Sequence, residues 1–149
     1  MHQVQSLQKY LKLPYVYIAI DTEFHVHRGE TSGVELGHVD GNNIEKAIAF
    51  ISNLTIQNHL PDKIVFIPQY RDAIIRNKKA IKPTDHTEVV INGDGFGYSG
   101  NKMAGYRILV RNESIQYGGF KLFLKEDHPL LTPKEVLTLD PAPAFINYQ

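Results

Sequence analysis

The chain has 149 residues, 42% of them hydrophobic and 21% charged, which suits one domain over residues 1–149 with its own core and excludes a disordered chain. Lys plus Arg and Asp plus Glu both count 16, so the net charge is zero and the broad positive field of a nucleic-acid or anionic-membrane binder is missing. There is no cysteine, which excludes disulfides, thiolate metal sites and cysteine nucleophiles and leaves the chemistry to His, Asp, Glu, Ser or Lys.

No stretch approaches the ~20 apolar residues of a membrane span. Met1 to Tyr10 has neither the basic start nor the apolar run of a signal peptide, so the chain as given reads as cytoplasmic. Val4, Leu7 and Leu11 sit at helical spacing, and Val16 to Asp21 follows as a strand rich in β-branched and aromatic residues. Asp40 is a candidate N-cap for an amphipathic helix carrying Ile44, Ala47, Ile48, Ile51 and Leu54, ending near His59 before Pro61. Lys63 to Gln69 reads as a strand buried on both faces, and a short helix is expected around Arg71 to Asn77. Glu88 to Asn92 is a third strand that opens into the glycine-rich Gly93-Asp94-Gly95-Phe96-Gly97, with a helix to follow over Lys102 to Val110. Gly119 to Leu124 is a fourth strand. Thr132-Pro133-Lys134-Glu135 is a capping box with Pro at the first helical position, and Phe145 to Gln149 is a short extended edge.

Strands alternating with helices predict an α/β domain with a mainly parallel sheet, since parallel neighbours need crossover connections. Four βα units fall short of the ~250 residues of a (β/α)₈ barrel, so the expectation is an open sheet or half of a TIM-like barrel.

The densest polar cluster is Asp21-Thr22-Glu23-Phe24-His25-Val26-His27 at the carboxyl end of the first strand. If the extended conformation persists, Asp21, Glu23, His25 and His27 point the same way. α/β folds place their sites at the carboxyl ends of parallel strands, where two acids in different surroundings divide the roles of proton donor and base or nucleophile. The structural alternative is a turn cap at Asp21 and an ion pair at Glu23. Glu23, His25 and His27 also suggest a divalent metal shell, with Asp94 to complete it, although two His in a polar loop are more often simply solvated. His27-Arg28-Gly29 is similar to the His-Arg-Gly opening of glycerophosphodiester phosphodiesterases, but Glu35 and His38 follow too closely to stand for that family's downstream acids. Gln69 and Tyr70 end the second strand, Asn92 and Asp94 the third, and Asp127 follows the fourth. Asp94 is the third catalytic candidate. His25, Gln69, Tyr70, Asn92, Lys121 and Asp127 are the candidate substrate-binding residues, with Lys121 placed to balance buried acids or hold an anionic group. The glycine pattern matches neither a Walker loop nor a dinucleotide fingerprint, so no nucleotide cofactor is predicted.

Ala19-Ile20-Asp21-Thr22-Glu23-Phe24, Gly37-His38-Val39-Asp40, Pro68-Gln69-Tyr70, Asp94-Gly95-Phe96-Gly97, Gly119 to Phe123, Pro133 to Leu137 and Ile146 to Gln149 resemble, in order, segments of one protein family. From about Tyr10 to Gln149 the chain is similar to the carboxyl-terminal half of a bacterial, mostly actinobacterial, family of secreted or lipid-anchored proteins. The resemblance implies a barrel-like α/β fold and a set of candidate positions, and no reaction. Thr22 stands where the family has Pro, and Pro68 where it has His. The resemblance also implies an amino-terminal half that would form the other wall of a pocket.

These readings lead first to a hydrolase-like domain performing glycoside-type hydrolysis, which needs two carboxylates whose separation decides retention or inversion. A second reading is a non-catalytic module that binds a carbohydrate or cell-wall ligand on the same rim. A third is a barrel fragment without autonomous activity, completed by the missing half or by a second copy in a homodimer that pairs the free sheet edges.

Overall fold

The computed structural model describes residues 1–149 except Arg28, Asn112 and Ser114. Two short helices, α1 (His2–Ser6) and α2 (Gln8–Leu11), precede β1 (Ile18–Ala19). Then come β2 (Val39–Asp40), α3 (Gly41–Gln57), β3 (Lys63–Gln69), β4 (Ile75–Arg76) and β5 (Thr87–Gly93). The chain ends with α4 (Ser99–Tyr106), β6 (Tyr117–Leu122), α5 (Pro133–Leu137) and β7 (Phe145–Tyr148). None of the described helices is long and apolar enough to cross a membrane.

Five parallel strands form the main sheet in the order β1-β3-β5-β6-β7, and β2 pairs with β4 in a separate two-stranded sheet. Each strand joins the main sheet on the same side as the one before it, so the order never reverses as it does in a doubly wound sheet. The result is a curled half-barrel. Its curl is visible in the rings of Phe66 on β3 and Phe145 on β7, whose centroids lie 4.4 Å apart. Three strand spacings of a flat sheet would separate these positions by about 14 Å. Asn92 on β5 reaches Asn147 on β7 in the same concavity, donating from Nδ2 to Oδ1 at 3.2 Å.

The helices cover the other face. Val65, Ile67, Val89, Ile91, Phe120 and Leu122 pack with Ile44, Ile48 and Ile51 of α3 and with Tyr106, Leu109 and Val110 in one apolar cluster. The glycine pair in β6 serves both faces. A Cβ at Gly118 would meet the Tyr106 hydroxyl and Val110 at 2.5 Å, and one at Gly119 would meet Asn92 Oδ1 at 2.6 Å.

Asp40 caps α3 as expected, its Oδ1 accepting from the Asn42 amide at 2.8 Å, and Thr132 with Glu135 forms the capping box of α5. The structure differs from the sequence reading at four places. First, the carboxyl-terminal segment is the short extended edge expected, and by pairing with β6 as a fifth strand it takes the sheet beyond four units. Second, the helix expected over Arg71 to Asn77 is a 3-10 turn at Asp72–Ile74 followed by β4, because Ile74 and Ile75 are buried and β4 pairs with β2. Third, β3 is buried through its helix-facing residues while Ile64 and Phe66 stay half-buried in the open concavity. Finally, β1 stops at Ala19 rather than Asp21. Pro68 lies on the β1 side of β3, where it has no N–H to offer, and its carbonyl is taken by the buried Thr22 hydroxyl at 3.0 Å.

Candidate functional site

The carboxyl ends of β1, β3, β5 and β6 surround a cleft of about 790 Å³. Glu23 and Phe24 enter it after β1, Tyr70 and Arg71 after β3, Asp94 to Phe96 after β5, Lys121 from β6 and Phe123 just after it. Lys102, Tyr106 and Leu109 close it from the α4 side.

Glu23 is positioned by its backbone. Residues Thr22–Phe24 form a 3-10 turn, held by the Thr22 hydroxyl on one side and by Gly37, whose amide donates to the Glu23 carbonyl at 2.8 Å, on the other. The His38 amide donates to the His25 carbonyl at 3.0 Å, so two consecutive residues clasp the turn. This contact has no room for a side chain. A Cβ on Gly37 would strike the His25 carbonyl and lie 2.7 Å from the Glu23 carbonyl oxygen, both of them backbone atoms. Gly37→Ala is therefore expected to displace the turn at a cost of about 2 kcal/mol of stability, the range of an overpacked contact. Urea unfolding measures that cost, and a variant as stable as the parent would refute the clasp.

Burial pushes the Glu23 carboxyl above its usual 4.5; its own backbone amide opposes the shift, and the charges of Asp21 and Asp94 add to it. Glu23 Oε2 is buried and has no hydrogen-bond partner among the described residues. Burial also raises Asp94 above 3.8, but here the Lys121 ammonium counteracts it directly, with Nζ 2.8 Å from Oδ1. The two acids differ accordingly: Asp94 has a cation in contact and Glu23 has none. Lys121 Nζ also lies 4.6 Å from the centroid of the Phe123 ring.

The second buried charge is structural. Asp127 is 2% exposed, and its Oδ1 accepts from the Gly97 amide at 3.0 Å. Oδ2 accepts from the Phe123 amide at 2.9 Å and from the Lys102 ammonium. Burial alone would raise the Asp127 carboxyl, yet Lys102 and the two amides outweigh it and hold the group below 3.8. Lys102 Nζ also donates to the Lys121 carbonyl at 2.8 Å, so this pair ties the loop after β5 to the end of β6.

Of the residues singled out in the sequence, Glu23, Asp94, Tyr70 and Lys121 line the cleft together. Asp21 is exposed outside it and reaches the two acids only through its charge. His25 is exposed outside the cleft, with Nδ1 2.9 Å from the His38 carbonyl oxygen. Gln69 is fully buried, its amide nitrogen donating to the Arg71 and Asp72 carbonyls at 3.0 and 3.1 Å. Asn92 is engaged with Asn147, and all acceptor positions described for Asp127 are filled by its staple. The common direction expected of Asp21, Glu23, His25 and His27 is not formed, because the 3-10 turn breaks the strand alternation after Asp21. Among the described residues no three His, Asp or Glu gather as a metal shell would require. Arg28, part of the His-Arg-Gly segment, lies outside the described residues.

Sequence reasoning missed Lys102, Arg71 and the rim aromatics Phe24 and Phe96. Lys102, Tyr106 and Leu109 have the i, i+4, i+7 spacing of one helical face, which is the signal that could have placed Lys102 at the cleft. Phe24 and Phe96 are 53% and 69% exposed, large apolar rings in polar loops beside a candidate site. Comparison with protein families, with curated proteins and with solved structures finds no match to this chain.

Proposed function

We propose that the cleft hydrolyses a glycosidic bond, with Glu23 as the proton donor to the leaving oxygen and Asp94 as the ionised carboxylate that acts on the sugar or on the attacking water. The observation that carries this reading is the unequal environment of the two acids. Glu23 is desolvated without a cation in contact, which favours the protonated form that a general acid needs. Asp94 has Lys121 at 2.8 Å, which favours its charge and works against the upward push of burial on its carboxyl. Unequal surroundings for a pair of carboxyls are how glycosidases obtain an acid and a base from the same chemical group. The exposed rings of Phe24, Tyr70 and Phe96 at the rim offer apolar surfaces on which the C–H faces of sugar rings can stack.

The test is hydrolysis of a panel of oligosaccharides by the wild-type chain and by Glu23→Gln. Reducing ends released by the wild type and lost in the variant support the assignment; equal release by both refutes it. The Asp94–Lys121 contact also favours a second reading. An acid already committed to an ion pair is less free to act as base or nucleophile, which suits a module that grips a saccharide without turning it over. Saccharide binding with no released reducing ends would establish that alternative.

A further inference from the structure

The cleft holds a cation that the two acids do not use. Arg71 lines it from the loop after β3, and its guanidinium forms no ion pair among the described residues. The cations that act on Glu23 and Asp94 are Lys121 and Lys102, and Arg71 is not among them.

The position is built. Gln69, fully buried at the end of β3, spends both donors of its amide on the carbonyls of Arg71 and Asp72, which fixes the backbone that presents the side chain. The Arg71 guanidinium carbon lies 5.9 Å from the centroid of the Tyr70 ring, so a planar cation and a half-exposed aromatic ring stand side by side on one wall. A guanidinium matches a carboxylate with two parallel hydrogen bonds, and a ring beside it takes the apolar face of the sugar that bears it.

We infer that Arg71 is a specificity-determining residue that selects saccharides carrying a carboxylate, as uronic acids do, by pairing with that group while Tyr70 supports the sugar ring. The inference rests on the saccharide reading of the cleft and names its substrate class. Arg71 is exposed and holds no other part of the fold through its side chain, so Arg71→Gln leaves the melting temperature of the chain unchanged.

The experiment is calorimetric binding of trigalacturonic acid and of its neutral counterpart galactotriose to the wild-type chain, Arg71→Gln and Arg71→Lys. Wild type is expected to favour the acidic trisaccharide about ten-fold, the scale of one charge-assisted pair at an accessible site. The preference disappears in Arg71→Gln, returns only in part in Arg71→Lys, whose ammonium lacks the fork, and weakens with added salt. Equal affinity of the wild type for both probes, a preference that survives Arg71→Gln, or no binding of either probe overturns the inference. Arg71-dependent binding of trigalacturonic acid without cleavage of it or of the oligosaccharide panel would instead remove the hydrolase reading and keep this one.

Discussion

Glu23→Gln is expected to lower oligosaccharide turnover by about 10²–10⁴-fold, the usual contribution of a positioned general acid, and at the same time to raise the melting temperature near neutral pH. The loss follows because the amide has the shape of the carboxyl but no proton to give. The gain follows from the direction of the shift. A carboxyl raised above 4.5 binds its proton more tightly in the folded chain than in the unfolded one. Its favourable contribution is complete below pH 4.5 and is lost as the pH rises through the folded value, leaving a buried charge with an unpartnered oxygen. Gln carries no charge to bury. The two melting temperatures should therefore coincide in acid and separate as pH rises, by about 2–4 °C for each kcal/mol in a chain of this size. A variant less stable than the parent at pH 7 would mean that the Glu23 charge is satisfied in the fold, and the acid assignment would fail with it.

Asp127→Ala carries the largest expected cost in stability, about 3–5 kcal/mol, because it strands the Lys102 ammonium in a buried place and removes the acceptor of two backbone amides. The native staple weakens in acid. Asp127 is held below 3.8, so its contribution is present above that pH and is lost as pH falls through the lower folded value. Restoring the balance should restore much of the stability, so the double variant Lys102→Met with Asp127→Leu is expected to unfold at a higher urea concentration than Asp127→Ala alone. Equal midpoints would show that the Lys102 charge is not what makes the single change costly. Turnover should fall in Asp127→Ala as well, since the staple anchors Gly97, in the loop that carries Asp94, and Phe123, just beyond the strand that carries Lys121.

Much of the half-barrel is legible in the sequence because its elements are set locally. The apolar run Lys63 to Gln69, the helical spacing from Ile44 to Leu54 and the Thr132 capping box each decide their own conformation, and each forms where expected. The differences arise where long-range pairing decides instead. Phe145 to Tyr148 is the extended edge expected, but its pairing as a fifth strand and the contact of Phe145 with Phe66 across the concavity join segments about half the chain apart. β4 replaces a helix because Val39 and Asp40 offer it a partner.

The site follows the same division. Glu23 and Asp94 are readable from their places at strand ends, and Lys121 from its parity within β6. The roles of Gln69, Asn92 and Asp127 are not, since an amide that fixes a loop and an acid that staples two turns look in sequence like polar rim groups. Only their burial and the partners their side chains take inside the fold distinguish them. Gly37 is equally silent in the sequence, because its role comes from the 23–25 turn packed against it.

The most direct test of the account is a carbon-13 NMR titration of the side-chain carboxyls, following Glu23 and Asp94 in the wild-type chain and in Lys121→Met. Glu23 is expected to titrate above 4.5, Asp94 to ionise before it, and Asp94 to move further upward when Lys121 is removed. A Glu23 titration at or below 4.5, or an Asp94 that ionises after Glu23 in the wild type, would contradict the division of labour between the two acids.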